Sequence, residues 1–376
     1  MDYQKLFQED ITNESVKAWK AQGKKVLGVL CCHTPIEIFY ALDIMPVRLR
    51  ATGVDESPDG DAWMSQFSCS FARGMLQNWM TGKYADLDGI ICTDGCMMPT
   101  RMFDNAKYQD KENGGSKLFF QFGAPRLSGK IEMEYYIHEL KDLIKVLEDF
   151  SGNKLTDEKL KAAIAKSNEC RTLMQQVYEL RKADAPVISG TDMLKLTMAY
   201  CDYSIDEYIE MLKAFLADAK NRKPITDGRV RMMLIGSALD DPEYIRVIED
   251  KGGLVVHDAL CYGSRPFNHL IEADDKDVLG SLADYYLTRI VCPRMLDNRK
   301  QLQKWIIDTC KEYKVEGVIY EKMQYCECWG GESLYLEPDL KELGIPMLIL
   351  EREEHLSNAG QLGIRAEAFV EMIETK

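Results

Sequence analysis

Short apolar runs alternate with helix-length segments along most of the chain, and this alternation limits the fold more than any other feature. The N-terminal part contains four strand-like runs, at Lys25–Leu30, Met45–Leu49, Leu87–Cys92 and Lys117–Phe122. Helical patterns at Phe67–Gly82 and Thr100–Tyr108 lie between them. Apolar runs separated in this way predict a mostly parallel sheet with helices packed on its faces.

The middle of the chain has a different pattern. From about Ile131 to Asn221 it is helical, with the longest periodic segments at Asp157–Ala183 and Ser204–Asn221. The alternation then resumes, with strand-like runs at Arg231–Ile235, Leu254–His257, Gly317–Tyr320 and Pro346–Leu350. The sequence therefore predicts an α/β protein with two parallel-sheet, flavodoxin- or Rossmann-like units joined by a helical section. The expected domains are residues 1–130, 131–228 and 229–376.

Charge and composition exclude several classes of protein. The 376 residues include 47 basic and 61 acidic side chains, a formal charge of −14, without the basic stripe typical of a nucleic-acid binder. No run approaches the ~18 apolar residues of a membrane span, and the charged N-terminus lacks the apolar core of a signal peptide. We expect a cytoplasmic protein whose twelve cysteines are thiols, metal ligands or redox groups.

Several cysteines follow predicted strands. Cys31 and Cys32 come directly after the first strand, Cys96 follows the strand LDGII in a turn with glycine, and Cys326 and Cys328 follow VEGVIY. Ligands of open parallel sheets bind beyond the carboxyl ends of the strands, and thiolates there suit an iron–sulfur cluster or a soft metal. Buried thiols occupy such positions about as often. Cys170, Cys201 and Cys310 lie in helical patterns, which favours simple burial.

Other motifs carry less information. The chain has neither a Walker A loop nor a G-x-S-x-G elbow, and no glycine fingerprint supports a nucleotide-binding domain. His33 and His257 each follow a strand, but without metal-ligand spacing we interpret both as satisfied or solvated side chains. Four arginines could hold phosphates of coenzyme A, although structural ion pairs are the favoured interpretation; they are Arg48, Arg101, Arg265 and Arg294.

Five ordered blocks resemble the 2-hydroxyacyl-CoA dehydratase/benzoyl-CoA reductase family, in particular its smaller, β-type subunit. The first is GVLCCHTPIEIFYALDIMPVRL, in which Cys31, Pro35, Glu37 and the Pro-Val-Arg strand match the family pattern. The second, FSCSFARGMLQNWMTGKYADLDGIICTDGCMMPTRMFD, holds Cys69 and Cys96. The others are VVHDALCYGSRPF, VCPRM and the long segment that begins VEGVIYEKMQYCECWGG and includes Cys326. Together they span nearly the whole chain.

The resemblance implies that Cys31, Cys96 and Cys326 are the three protein ligands of one [4Fe–4S] cluster, with Cys32, Cys69 and Cys328 as second choices. It also implies an α-type partner subunit in a heterodimer, an acyl-CoA substrate held mainly by that partner, and a separate ATP-dependent iron–sulfur activator. One electron from the activator would convert the thioester to a ketyl radical, so that water is eliminated and an enoyl-CoA forms. Glu37 is the one catalytic candidate on this chain.

Three alternatives stay open within the family or near it. The chain can be a subunit of a benzoyl-CoA reductase, or a homodimeric reductase that carries a double-cubane cluster. It can also be a non-catalytic electron-storage or assembly protein in which the cluster is structural. The acyl group of the substrate and the fourth ligand of the cluster do not follow from the sequence.

Overall fold

In the part of the chain that the structure describes, eight β-strands form two four-stranded sheets, and every neighbouring pair of these strands is parallel. The computed structural model describes residues 2–8, 14–356 and 358–375. The first sheet has the order β2-β1-β3-β4, with β1 at Lys25–Val29, β2 at Ile44–Arg48, β3 at Gly89–Asp94 and β4 at Leu118–Gly123. The second has the order β6-β5-β7-β8, with β5 at Val230–Gly236, β6 at Gly253–Ala259, β7 at Gly317–Met323 and β8 at Met347–Arg352. The predicted α/β class with two parallel-sheet units is confirmed.

Helices cover the sheets and fill the section between them. In the first unit they are α1 (Glu14–Ala21), α2 (Ile36–Ala41), α3 (Pro58–Trp63), α4 (Ser70–Met80) and α5 (Met97–Glu112). The connecting section contains α6 (Lys130–Ser151), α7 (Asp157–Glu179), α8 (Gly190–Ala199) and α9 (Ile205–Asp218). The second unit contains α10 (Glu243–Glu249), α11 (Val278–Asp284), α12 (Arg299–Glu312), α13 (Glu327–Gly330), α14 (Ser333–Glu342) and α15 (Ala359–Glu374). The helical section lies where the sequence predicts it, and the division into three domains stays a prediction. Within the described residues, no helix combines the length and apolar character needed to cross a bilayer.

Burial on both faces of the sheets explains why the strand sequences are continuous apolar runs. All seven residues of β5 and all seven of β6 are buried, because a parallel sheet has helices on both faces. Polar N-caps begin the connecting helices. Thr156, Ser189 and Ser204 accept hydrogen bonds from the backbone N–H groups of Lys159, Asp192 and Glu207, at the starts of α7, α8 and α9.

In both sheets the chain order is second, first, third, fourth, so the direction of winding reverses between the first and third strands. These reversals lie between β1 and β3 in one sheet and between β5 and β7 in the other. The carboxyl ends of strands at such a reversal leave a crevice where ligands bind. The fold therefore offers two crevices, and the predicted cysteine loops lie at both.

Buried polar contacts hold the two units together. The carboxylate of Asp240, after β5, accepts hydrogen bonds from the backbone N–H groups of Ala51 and Thr52, after β2, at 2.7 and 2.9 Å. The Ser70 hydroxyl at the start of α4 accepts a hydrogen bond from the backbone N–H of Glu354 at 2.7 Å. One apolar core includes residues of both sheets. The loops after β2 and β5 are thus fixed relative to each other.

Gly236 is a position where only glycine fits. Its φ is +148°, and a Cβ added there would lie 1.9 Å from the Glu321 carbonyl oxygen on β7. We predict that Gly236→Ala lowers the free energy of unfolding by about 2–3 kcal/mol, since both the backbone conformation and the β5–β7 contact are disturbed. Chemical denaturation of the purified chain measures this loss.

Gly360→Ala is the matched control. Gly360 lies in α15, and an added Cβ meets nothing within 4 Å. Alanine is favoured over glycine in a helix by about 0.5–1 kcal/mol, so this variant should be as stable as the parent or more so. Equal stability of the two variants would contradict the steric role of Gly236.

Candidate functional site

The three cysteines predicted from the strand ends line one cavity. Cys31 follows β1, Cys96 follows β3 and Cys326 follows β7, so both crevices contribute to it. The cavity has a volume of about 110 Å³. Residues distant in sequence are therefore brought together, as a shared site requires. The role of these three as metal ligands stays a prediction.

Five further cysteines line the same cavity: Cys32, Cys69, Cys261, Cys292 and Cys328. Cys32, Cys69 and Cys328 are the second choices implied by the family resemblance. Sequence reasoning missed Cys261 and Cys292 as site residues, although both lie in segments that match the family, DALCYGSR and VCPRM. The predicted burial of the helical-pattern cysteines, Cys170, Cys201 and Cys310, is confirmed.

Local backbone features place the cysteine loops close together. Gly95 lies beside Cys31 and Arg294, because a Cβ added to it would be 3.4 Å from Cys31 Sγ and 3.7 Å from Arg294 Cδ, at ordinary contact distance. Tyr325 has a φ of +60°, in the left-handed region that bulky residues rarely adopt, directly before Cys326. Cys96 is the N-cap residue of α5, where the helix dipole favours a thiolate.

The thiol groups differ in acidity. A hydrogen bond from Cys32 lowers the pKa of Cys31, although burial acts in the opposite sense; the Arg48 and Arg294 charges lower it further. Donation of that hydrogen bond, together with burial, raises the pKa of Cys32 well above its usual value. A hydrogen bond to Cys96 is the main cause of the raised pKa of Cys328. In the protein without metal, the Cys31 thiol therefore ionises more readily than an ordinary cysteine.

Three arginines line the cavity with nitrogen atoms that lack partners. Arg265 and Arg294 are buried and Arg48 is half-buried. Buried nitrogen atoms without a hydrogen-bond acceptor occur in all three: Nε of Arg48 and Arg265, and both Nε and Nη2 of Arg294. Among the described residues, no Asp or Glu lines the cavity. The described side chains therefore surround it with positive charge that no carboxylate balances.

The interpretation of the four arginines as structural ion pairs is only partly correct. Arg101 does pair with Asp104, at 2.9 Å on an exposed face of α5. For the other three it is wrong, since in the described part of the chain they form no salt bridge and donate instead to backbone carbonyls, of Cys261, Val291 and Ala124. The reason is their position at the end of β2 or in loops, where backbone carbonyls accept their hydrogen bonds.

Glu37 has two partners nearby. Both carboxylate oxygens of Glu37 are occupied, one by Arg171 and the other by the hydroxyl of Tyr286, each at 2.8 Å. A catalytic role for Glu37 stays a prediction, and these contacts show that it anchors α2 to α7.

Burial lowers the pKa of His33 well below its usual value and that of His257 to about 4. Both rings are therefore neutral near pH 7, and neither lines the cysteine cavity.

Over the part of the chain that the structure describes, no three Cys, His, Asp or Glu side chains are close enough to hold a single metal ion. A single zinc ion needs ligand atoms about 2.0–2.3 Å from one centre. The thiolates of an iron–sulfur cluster bind different irons instead, so they line a wider cavity. Eight thiols around 110 Å³ are suited to a cluster rather than to one ion.

Comparison with known proteins agrees with this donor set. The family model described as 2-hydroxyglutaryl-CoA dehydratase, D-component, matches residues 31–373. The (R)-phenyllactyl-CoA dehydratase beta subunit of Clostridium sporogenes is 24% identical over 358 residues, 95% of this chain and 94% of that protein. One of the benzoyl-CoA reductase subunits of Thauera aromatica is 26% identical over 361 residues, covering 94% of this chain and 92% of that protein. The beta subunit of (R)-2-hydroxyglutaryl-CoA dehydratase of Acidaminococcus fermentans is 24% identical over 365 residues, 94% of each chain. The chain belongs to the 2-hydroxyglutaryl-CoA dehydratase D-component family, which confirms the resemblance carried by its cysteine blocks.

Proposed function

We propose that this protein is the β-type subunit of an (R)-2-hydroxyacyl-CoA dehydratase, and that Cys31, Cys96 and Cys326 hold one [4Fe–4S] cluster. The observation that carries the proposal is the lining of the cavity: eight thiols, three guanidinium groups and no carboxylate. Cys32, Cys69 and Cys328 are the second choices as ligands.

The unbalanced charge supports a negatively charged occupant. Burying a charged group without a partner costs several kcal/mol, and Arg265 and Arg294 are at most 5% exposed. Thiols lose their protons when they become metal ligands, so cysteine ligands bring negative charge into the cavity. The unpartnered nitrogen atoms of Arg265 and Arg294 would then have acceptors in the ligand sulfurs. The residues present therefore fit an anionic thiolate-bound cluster.

The residues of this chain would hold the cluster, shield it from water and keep a nearby positive charge in place. When bound, a cluster of this kind supplies one-electron transfer, which removal of an unactivated C3 proton requires because ordinary general-base catalysis is too weak for it. Phe71, Tyr262, Met323 and Trp329 form an apolar wall of the cavity that excludes water. The guanidinium of Arg48 stacks on Tyr262 with its Cζ 3.9 Å from the ring centre, so this charge stays in place.

The cavity is too small to hold an acyl-CoA, because sites for ligands of drug size are typically about 300–1,000 Å³ and this one is about 110 Å³. The acyl-CoA therefore binds mainly to an α-type partner. A separate ATP-dependent iron–sulfur activator delivers the electron, as the family resemblance implies.

Exposed apolar side chains lie on the chain segments that carry the cavity-lining residues; we call this set the apolar rim. Seven large apolar side chains on segments next to the cavity are exposed: Phe67, Met97, Leu127, Leu296, Tyr325, Leu334 and Tyr335. Phe67 and Tyr325 contact each other edge-on, with ring centres 5.7 Å apart. Exposed apolar groups that collect in one region indicate a protein interface. We propose that this rim is the surface on which the α-type subunit docks.

Eight thiols are more than one cluster needs, and this favours a second candidate. A homodimeric reductase with a double-cubane cluster would use the additional cysteines, among them Cys261 and Cys292. A benzoyl-CoA reductase subunit is a further alternative, and assay of the complex with both thioesters distinguishes it. Anaerobic iron and acid-labile sulfide analysis distinguishes the cluster types, since one cubane gives about four irons per chain and two give about eight.

Loss of a ligand should remove the cluster as a unit. We predict that Cys31→Ala, Cys96→Ala and Cys326→Ala each reduce the anaerobic iron content from about four atoms per chain to less than one, because three thiolates from the protein hold all the irons together. Dehydratase activity of the complex should fall with the iron. Iron analysis and electron paramagnetic resonance after reduction measure the loss.

Cys170→Ala is the matched control. Cys170 is buried in α7 and does not line the cavity, so this variant should keep the iron of the parent. Full iron and full activity in Cys96→Ala would show that the ligand assignment is wrong.

Arg294→Met separates the charge argument from simple packing. We predict that it raises the free energy of unfolding of the iron-free protein by about 1 kcal/mol or more, because an unbalanced buried charge is removed. The same variant should lose iron faster than the parent when a chelator is added, since the cluster loses a donor. Opposite effects on the two forms are the expected signature.

Arg231→Met is the control, because it tests whether removal of any buried arginine stabilises the iron-free protein. Arg231 donates to three backbone carbonyls, those of Tyr313, Ala183 and Arg181, and has no buried nitrogen without a partner. Its replacement leaves those carbonyls unpaired and should destabilise both forms. If Arg294→Met also lowered the free energy of unfolding of the iron-free protein, the unbalanced charge of Arg294 would not destabilise the metal-free site, and the charge argument would be wrong.

The apolar rim can be tested by one substitution. Leu334 is 73% exposed, and we predict that Leu334→Glu weakens assembly with the α-type subunit by about thirtyfold or more, because a buried interface excludes an unpaired carboxylate. Sedimentation of the coexpressed subunits measures the complex. Ile364→Glu, at a 67% exposed apolar residue on α15, is the control and should leave assembly unchanged. Intact assembly of the Leu334 variant would rule out the rim as the docking surface.

A further inference from the structure

A second, smaller cavity lies behind Cys31 and Cys32. We call it the rear cavity; it is lined by Val29, Cys31, Cys32, Thr34, Ile36, Tyr40, Pro46, Arg48, Arg171, Tyr200, Cys201, Pro266, Tyr286 and Ile290. It shares Cys31, Cys32 and Arg48 with the cysteine cavity, while its other walls come from α2, α7 and the loops around them. Anything bound in it therefore lies next to the first predicted ligand.

Two guanidinium groups in the wall of the rear cavity have nitrogen atoms without partners. Arg171 is 3% exposed; its Nη2 donates to Glu37 at 2.8 Å and its Nε to the Pro266 carbonyl at 3.3 Å, but Nη1 has no acceptor. Nε of Arg48 also lacks one. A buried donor without an acceptor costs about 1–3 kcal/mol. The wall thus offers donors to an acceptor that the protein itself does not supply.

The guanidinium of Arg171 is held in position by its surroundings. Glu37 is fully buried and also accepts a hydrogen bond from the Tyr286 hydroxyl, at 2.8 Å. The ring of Tyr285 lies beneath the guanidinium, with Arg171 Cζ 4.6 Å from the ring centre. A donor fixed in this way is preorganised for an acceptor, which makes binding less costly in entropy.

Size limits the class of ligand. The rear cavity has a volume of about 40 Å³, room for about three water molecules. Coenzyme A and its esters do not fit. Ile36, Pro46 and Ile290 supply apolar contacts opposite the arginines. The occupant that fits best has one oxygen-rich, anionic end and a short apolar end, which describes a small carboxylate.

A surface cleft adjoins the rear cavity at Tyr40, which lines both. Two lysines of that cleft, Lys24 and Lys166, pair with Asp43 and Asp206, which line it too. The charges of the cleft are therefore largely balanced, and recognition of an anion depends on the arginines of the rear cavity.

We propose that the rear cavity is a binding site for a small carboxylate of the size of formate or acetate, held by Arg171 Nη1 and Arg48 Nε beside Cys31. The site itself depends only on these residues. Its position next to a cluster rests on the proposed function.

Acetate is the probe for the test. Saturation-transfer NMR on the full-length chain, purified anaerobically with its iron content measured, should show saturable acetate binding in iron-loaded and in iron-poor samples alike. Formate should compete with acetate, and the branched, larger pivalate should not. Reduction of iron-loaded protein should broaden the methyl signal of bound acetate, because the ligand lies beside a paramagnetic centre.

Two variants remove the site in different ways. Ile36→Phe fills the rear cavity, and the paired change Glu37→Gln with Arg171→Met removes both buried charges together, so that no uncompensated carboxylate is left. Each should weaken acetate binding by about tenfold or more. The paired change Lys304→Gln with Asp308→Asn, at an exposed ion pair on α12, is the control and should change nothing.

The outcomes keep this inference apart from the proposed function. Binding that is lost in both variants but present in protein without iron supports the carboxylate site even if the cluster assignment fails. No binding up to about 100 mM acetate, or binding that neither variant weakens, would overturn it and leave the cavity to water. Binding that both variants weaken but that reduction does not broaden would contradict the cluster assignment at Cys31 and leave the carboxylate site supported.

Discussion

The positive charge around the cysteine cavity is the constraint on which the site depends. Arg48, Arg265 and Arg294 extend into a space without carboxylates, and each keeps a buried nitrogen atom without an acceptor. Folded proteins bury charges mainly where they are paired. Neutral thiols do not balance three guanidinium groups, whereas the thiolates of the proposed cluster would. The same arginines that make the metal-free site costly would then stabilise the proposed metal-loaded site.

The arrangement of the two sheets explains how one cavity receives ligands from distant parts of the chain. Each sheet reverses its winding between its first and third strands, which opens a crevice at their carboxyl ends. Cys31 and Cys96 come from one crevice and Cys326 from the other. Asp240 fixes the crevices relative to each other, because its carboxylate holds the backbone of Ala51 and Thr52 across the boundary. A cluster between them would complete a contact that the protein alone leaves open.

Sequence reasoning found the ligand candidates because their positions depend on local pattern. A strand ends where its apolar run ends, and in one parallel sheet such ends lie at the same edge, so Cys31 and Cys96 could be predicted to lie near each other. Cys326 follows a strand of the second sheet, and only the family resemblance implied that it joins them. The contribution of Cys261 and Cys292 depends on how the loops after β6 and α11 fold back, which no periodicity encodes. Pairing of arginines is equally non-local. Arg101 has its acidic partner three residues away, whereas the partners of Arg265 and Arg294 are carbonyls of remote loops.

The apolar rim and the rear cavity use different surfaces, and this has a consequence for how the complex would work. None of the seven exposed rim residues lines the rear cavity or the cleft beside Tyr40. Cys31 and Cys32 line both cavities and so separate the two spaces. The proposed partner and the proposed carboxylate would therefore act on the same two thiols through different sets of residues.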